Sequence, residues 1–242
     1  MIAEPRSAST VILLRENPAP GSARLEIYLA RRKNTLKFLG GFSAFPGGAL
    51  ESQDYDAVNQ KRSRGLDPDE AQKLFRGETT GVEALAHFLA AIREVYEETG
   101  ILLALTESGE PPRPEIIAGW QPQIRDGKIP LVEMMKKERL FYDTPALKYF
   151  DHWVTPDFSP IRFSARFFLA INPPGRSPVP CPIEFETAEW INPEKALESF
   201  EAGEIKMIPP TLHCLKRLAP FGKIEELLDF FAREPLPETK SG

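Results

Sequence analysis

The stretch Ala91-Ile-Arg-Glu-Val-Tyr-Glu-Glu-Thr-Gly-Ile101 decides how this chain is read. Glu94, Glu97 and Glu98 recur at i, i+3 and i+4, a spacing that stacks three carboxylates on one face of a helix. Gly100 is placed to end that helix, so the acids occupy its last turns. The helix macrodipole is negative there, and each acid is disfavoured by about 0.3–1 kcal/mol. Glu94 and Glu98 also repel one another as like charges one turn apart. Arg93 alone offsets any of this, through Glu97 on the next turn. The penalties sum to about 1–2 kcal/mol at most. A divalent cation would reverse the sign of every one of them, whereas a solvated acidic face would leave them standing. Hard oxygen donors suit Mg²⁺ or Mn²⁺ rather than Zn²⁺, since His87 is the only His or Cys close in sequence. His87 lies two turns earlier on the same face and is expected to be exposed or to sit behind the acids.

Working outward, Thr80-Gly-Val-Glu83 has the spacing of a capping box, and Gly100 suits the residue just past a helix end. Leu85, Phe88, Leu89, Ile92, Val95 and Tyr96 share the side opposite the carboxylates, while Ala90 and Ala91 flank the acids. Upstream, Ser9–Arg15 and Leu25–Ala30 are rich in β-formers and are separated by Asn17-Pro-Ala-Pro-Gly21, which predicts an antiparallel pair. Phe42–Phe45 reads as a third short strand stopped by Pro46-Gly-Gly48. Residues 55–79 read as an inserted polar loop with one helical turn near Asp67-Pro-Asp-Glu70. Residues 115–150 read as weakly helical. Arg162–Ala170 and Ile183–Trp190 read as strands, and Pro193–Phe200 and Ile224–Phe231 as amphipathic helices. The fold class expected is α+β, a mixed β-sheet covered by helices, with residues 1–242 as one domain.

Composition narrows the function. The chain has 242 residues, 42% hydrophobic and 27% charged, which suits an ordinary globular protein. A formal net charge of −5 argues against a broad basic surface that wraps nucleic acid, while leaving room for a local basic pocket. No apolar run approaches the roughly 20 residues of a membrane span, and no secretory leader is visible, so a cytoplasmic protein with no membrane or nucleic-acid partner is expected. Cys181 and Cys214 are too few and too far apart for a disulfide framework or a zinc ribbon.

Pro46-Gly-Gly48, followed downstream by Arg93-Glu-Val-Tyr-Glu-Glu-Thr-Gly-Ile101, resembles the Nudix hydrolase signature. That pattern runs Gly, five residues, Glu, seven residues, then Arg-Glu-U-x-Glu-Glu-x-Gly-U, with U a bulky aliphatic residue. The second half matches throughout, with Val95 and Ile101 in the U positions. The first half departs from it. Counting from Gly48, the expected Glu falls on Asp54, and thirty-eight residues (55 to 92) separate Asp54 from Arg93. Asp54 and Glu51 are both open as the acid that braces Arg93. An interrupted box of this kind resembles the Nudix motif 19 type of coenzyme A diphosphatase. His152-Trp-Val-Thr-Pro156, Arg162–Ala170 and Ile208-Pro-Pro-Thr211 fit the same branch.

The resemblance implies a Nudix-type α/β/α sandwich and hydrolysis of a diphosphate in a small nucleotide substrate, with Mg²⁺ or Mn²⁺ as cofactor. Coenzyme A or acyl-CoA is the substrate favoured. NADH or ADP-ribose, or a catalytically silent nucleotide-sensing module, are the alternatives. It implies Glu94, Glu97, Glu98 and the Gly47 carbonyl as metal ligands, and Arg93 as the group that orients the acids. Glu97 or Glu98 is named first as proton acceptor and Glu184 second. Glu184, Glu186 and Glu189 read equally as the polar face of a strand. Gly48, Arg31, Arg32 and Arg166 are the substrate-binding expectations, a solvated basic turn being the alternative for the first two arginines. Relatives of this kind are often homodimers, but no residue maps an interface, so a homodimer is one of the states left open.

Overall fold

The computed structural model describes residues 3–17 and 25–241. The predicted turn from Pro18 to Gly21 lies outside the described residues. Val11, Ile12, Leu13 and Leu14 are each 0% exposed. A strand covered on both faces reads as a continuous apolar run, and this one lies in β1 (Arg6–Glu16), near the centre of the main sheet. β2 (Leu25–Arg32) pairs antiparallel with it, Leu14 opposite Ile27, as the sequence predicts. The third strand is shorter than expected: β3 (Ser43–Ala44) pairs with β2. Pro46-Gly-Gly48 does not simply stop it, because β4 (Gly47–Ala49) pairs with β1 and sets Gly48 opposite Ser9.

The helical turn expected near Asp67–Glu70 is present as the start of α3 (Pro68–Leu74), but the rest of the inserted segment is not a plain loop. Led in by α1 (Ser52–Tyr55), it holds α2 (Ala57–Gln60) and β5 (Ser63–Arg64) ahead of α3. These pieces are too short to show helical periodicity, and side-chain caps hold them instead. Asp56 accepts the backbone N–H groups of Val58 and Asn59, and Asp67 accepts that of Glu70, which reciprocates. Ala71 and Phe75 are buried, and the Phe75 ring lies against His87, Phe88, Tyr149 and Phe168.

α4 (Gly81–Thr99) begins where Thr80 accepts the Glu83 N–H. The second half of the expected capping box is missing, because the Glu83 carboxylate accepts from the hydroxyls of Ser7 and Thr79 instead. Gly100, at φ 74°, closes the helix in the left-handed conformation a glycine tolerates. Next come β6 (Ala104–Thr106), α5 (Pro114–Arg125), α6 (Leu131–Lys137), β7 (Leu140–Asp143), β8 (Leu147–Val154) and β9 (Phe163–Ile171). The helical expectation for 115–150 is therefore corrected at Leu140. Arg139 takes a left-handed turn (φ 53°), and the aromatic, alternately buried Leu140-Phe-Tyr-Asp143 pairs with β6. The chain continues through β10 (Phe185–Ile191), α7 (Pro193–Glu201), α8 (Pro209–Leu218), α9 (Ile224–Arg233) and β11 (Thr239–Ser241).

The main sheet is mixed, in the order β10-β2-β1-β9-β8-β11, with β1 and β9 parallel. One face packs Val11, Leu13, Tyr28 and Phe168 against Phe88, Ile92 and Val95 of α4. The other packs Ile12, Leu14, Ile27 and Phe167 against Leu215 and Leu227 of the C-terminal helices. Two helical layers around one mixed sheet make the α/β/α sandwich of an α+β fold.

If the insertion is part of the core, Phe75→Ala should cost about 3–5 kcal/mol by chemical denaturation. A loss within about 0.5 kcal/mol, the range of an ordinary surface substitution, would show that the insertion merely rests on the fold.

Candidate functional site

The C-terminal half of α4 is enclosed on nearly every side, so its acids form no solvated face. Glu98 is 5% exposed, and the Glu94 and Glu97 side chains are 12% and 21% exposed. Below them the extended chain of β4 passes close. The Gly47 N–H donates to Glu98 Oε2 (3.0 Å), and a Cβ added at Gly48 would stand 2.5 Å from Glu94 Oε1. Only glycine at 48 leaves Glu94 its place. On the far side, the Val179 and Cys181 N–H groups donate to the carbonyls of Thr99 and Glu98, both at 2.8 Å. These bonds satisfy acceptors left open at the helix end and hold the turn that carries Glu184.

Arg93 ties the acids to the insertion. Its guanidinium is 2% exposed, with Nε and Nη2 donating to Asp54 Oδ1 and Oδ2 at 3.1 and 3.0 Å. Nη2 also donates to the Ala49 carbonyl (3.0 Å). Nη1 donates to Glu94 Oε1 (2.7 Å) and lies 3.6 Å from Glu97 Oε2. Asp54, not Glu51, is therefore the brace, and the Glu51 N–H donates to Asp54 Oδ2. The expected Arg93–Glu97 contact exists, but Glu94 is the nearer partner.

The structure brings Glu184 and Arg32 to the acids. Arg32 Nη1 donates to Glu184 at 3.1 Å, and the Glu184 charge acts on both Glu94 and Glu98. Arg31, its neighbour in β2, is not brought there. Strand alternation turns it to the opposite face, half exposed and 3.9 Å from Glu186. Arg166 is not brought there either. It is buried beside the N-terminal half of α4, where its Nη1 donates to His87 Nε2 (3.0 Å) and its guanidinium covers the Phe75 ring. His87, expected exposed or behind the acids, is 0% exposed and shares the Ser9 hydroxyl with that network. Phe45 and Trp153 pack with the opposite core, as their apolar bulk predicts.

Burial dominates the electrostatics. Desolvation pushes the Glu94 carboxyl up to about 7 and that of Glu97 up to about 8, with the Arg93 guanidinium pulling both back. Glu98 is raised well above the carboxylate range by burial, and then by Glu94 and Glu184. Asp54 is raised by burial and lowered by Arg93. Arg93 cannot discard its proton, so this buried pair is charged. Five carboxylates thus face two guanidinium groups, and burial makes Glu94, Glu97 and Glu98 favour protons that a cation could replace. The donor set is all oxygen, which suits a hard divalent ion. It is not a finished cage: among the described residues no three His, Cys, Asp or Glu side chains are arranged to hold a metal ion. Arg93 occupies one oxygen of Glu94 and the Gly47 N–H one of Glu98.

Sequence reasoning missed three backbone participants: the Ala49 carbonyl and the N–H groups of Val179 and Cys181. Backbone groups leave no mark in a sequence.

A family profile described as the NUDT19 Nudix domain matches residues 5–218. The chain is 26% identical over 252 residues to the acyl-coenzyme A diphosphatase NUDT19 of Xenopus laevis, covering 91% of this chain and 66% of that protein. It is 27% identical over 251 residues to the protein of the same name from Homo sapiens, covering 89% and 65%. The chain thus spans just under two thirds of the length of these two curated relatives. Among solved structures, the NUDIX hydrolase from Alicyclobacillus acidocaldarius superposes with a TM-score of 0.76 at 27% identity, covering 95% of this chain and 97% of that one.

Removing the brace should be severe. Asp54→Asn leaves Arg93 buried without its main counter-charge and should cost about 3–5 kcal/mol, whereas Glu51→Gln should cost less than about 0.5 kcal/mol. Equal losses in urea denaturation would contradict the assignment of Asp54.

Proposed function

This chain belongs to the NUDT19 Nudix domain family, and on that premise we propose that it is a divalent-metal-dependent pyrophosphohydrolase working as one domain. Its substrate is a nucleoside diphosphate joined to a second group, with coenzyme A or an acyl-CoA first. Cleavage of that diphosphate leaves adenosine 3′,5′-bisphosphate and a phosphopantetheine. The observation that carries the reading is the burial of Glu94, Glu97 and Glu98 together against the Gly47-Gly48 strand, with more negative charge than Arg93 and Arg32 offset. The naming of relatives as acyl-coenzyme A diphosphatases favours the CoA class. No helix among the described residues is long and apolar enough to cross a membrane, and Cys181 and Cys214 are free and buried. Free thiols fit a reducing, cytoplasmic setting.

Nudix hydrolases generally use divalent metals. Glu94, Glu97 and Glu98 would hold Mg²⁺ or Mn²⁺, which would offset the diphosphate charge and lower the pKa of a water so that it can react as hydroxide. The protein's own part is to hold and to move protons. Glu94, Glu97 and Glu98, with the Gly47 carbonyl, supply the oxygens. Arg93, locked by Asp54, fixes the height and rotation of Glu94 and Glu97 relative to β4. Glu97 is the most exposed of the three and takes the proton of the attacking water. Glu184 is the second candidate for that step, though its pairing with Arg32 ties up one oxygen. Arg32 and the open backbone at Gly48 then meet the substrate phosphates.

Purified protein with Mn²⁺ and a panel of CoA, acyl-CoA, NADH and ADP-ribose tests the reading. CoA-type substrates should be split fastest, chelation should abolish turnover, and Glu97→Gln or Glu98→Gln should lower kcat by about 10²–10⁴-fold. A preference for NADH or ADP-ribose would overturn the CoA assignment. An unaltered chain that hydrolyses none of them would favour a silent nucleotide-sensing module.

A further inference from the structure

We infer that Ser9, His87 and Arg166 are positioning residues of the acid site, setting the height and rotation at which Glu94 and Glu98 meet β4; this rests on the reading of those acids as cation ligands. The strand registers place Arg166 of β9 opposite Ser9 of β1, and Ser9 opposite Gly48 of β4. The three residues therefore stand side by side across neighbouring strands. α4 lies over that row. His87 bonds to Ser9 and Arg166, and Glu94, seven residues on, is the side chain that a Cβ at Gly48 would strike. At 1.5 Å per residue these two contacts stand about 10.5 Å apart along the helix. Glu98 makes a third, to the Gly47 N–H.

The bonds in this row run in one direction only. A guanidinium has no acceptor, so Arg166 Nη1 donates and His87 Nε2 accepts, at 3.0 Å. Burial, and then the Arg166 charge, hold His87 well below the ordinary imidazole pKa, so the ring is neutral and its one proton sits on Nδ1. That N–H donates to Ser9 Oγ, and the Ser9 hydroxyl donates in turn to the His87 carbonyl, each at 2.9 Å. All three side chains are buried. Arg166 is itself held, with the Phe75 ring against its guanidinium and Glu78 Oε2 3.6 Å from Nη2. Apolar burial has no direction and lets a helix slide on a sheet, whereas two hydrogen bonds between one serine and one helical residue fix translation and rotation together. Ser9 is also the strand neighbour of Gly48, so any shift at this link moves α4 relative to the glycines its acids touch.

Ser9→Ala removes both bonds between strand and helix. At a temperature where the variant remains folded, its affinity for Mn²⁺, titrated alone, should fall about tenfold, the range of a lost buried hydrogen bond. Its kcat on CoA should fall about 10- to 100-fold with KM within about twofold, as a small displacement of catalytic groups does. Leu227→Ala, in the opposite core, should lower Tm and yet change Mn²⁺ affinity and kcat by less than about twofold. Nitrogen-15 shifts of the unaltered chain need no variant, and should show His87 protonated at Nδ1 and bare at Nε2 at pH 7. Unchanged Mn²⁺ affinity and kcat in Ser9→Ala, the same losses in Leu227→Ala, or a proton on His87 Nε2 would overturn the inference and leave the function standing. An unaltered chain that takes up no Mn²⁺ would overturn the functional reading, and the inference with it.

Discussion

The Arg93 guanidinium, buried to 2% exposure, is the constraint on which the rest of the site depends. A charge in that position must be fully paired or it unfolds its surroundings. Here it is met by both oxygens of Asp54, the Ala49 carbonyl, Glu94 and, at longer range, Glu97. Those partners come from three places: α1 at the head of the insertion, the end of β4, and α4 itself. One side chain thus pins the glycine strand to the acid helix. It also explains how the motif survives interruption. Only residue 54 and residue 93 must meet, and what lies between is free to lengthen, since closure entropy grows slowly with loop length. The intervening residues offset their own ordering by burying Phe75 and Ala71 against α4.

What Arg93 cannot do is neutralise everything around it. Glu94, Glu97 and Glu98 stack at the negative end of a helix, within reach of Glu184, and burial rather than mutual repulsion is the larger reason their carboxyls resist ionisation. Proteins break a local rule of this kind where function demands it, with compensation supplied elsewhere. The compensation is partly visible in the Gly47 N–H, in Arg32 and in Arg93. The remainder is what a divalent cation would supply. Glycine at 48 belongs to the same logic, since any side chain there would strike Glu94.

The acid helix was legible because its signals are long and local: a cap at Thr80, nineteen residues of clear periodicity, and Gly100 at the end. β1 and β2 were legible for the same reason. Of the insertion only the turn at Asp67–Glu70 was legible, from its cap, because helices of four to seven residues carry no period and are held by caps and distant contacts. Residues 140–150 give no local cue to strand because their partners are distant: β7 pairs with β6, more than thirty residues upstream, and β8 with β9, downstream. His87 and Arg166 show a subtler failure. His87 sits at a spacing that suits an exposed or supporting polar position and Arg166 at one that suits a pocket, yet both are buried and bonded to one another, with the Ser9 hydroxyl on His87. Glu184 could be named from sequence only as a weak second choice, since a strand's polar edge and an acid turned toward a site look alike.

The central claim is that protons now held by Glu94, Glu97 and Glu98 give way to a divalent cation. Calorimetric titration of Mn²⁺ in buffers of different ionisation enthalpy counts those protons directly. At pH 7 a Glu94 carboxyl raised to about 7 is about half protonated and a Glu97 carboxyl raised to about 8 is largely so, while burial also raises Glu98 well above the carboxylate range. The account predicts release of roughly one to three protons per bound site at pH 7, fewer as the pH approaches 9, and tighter binding as the pH rises. Binding with no dependence on buffer, or no binding at all, would contradict it.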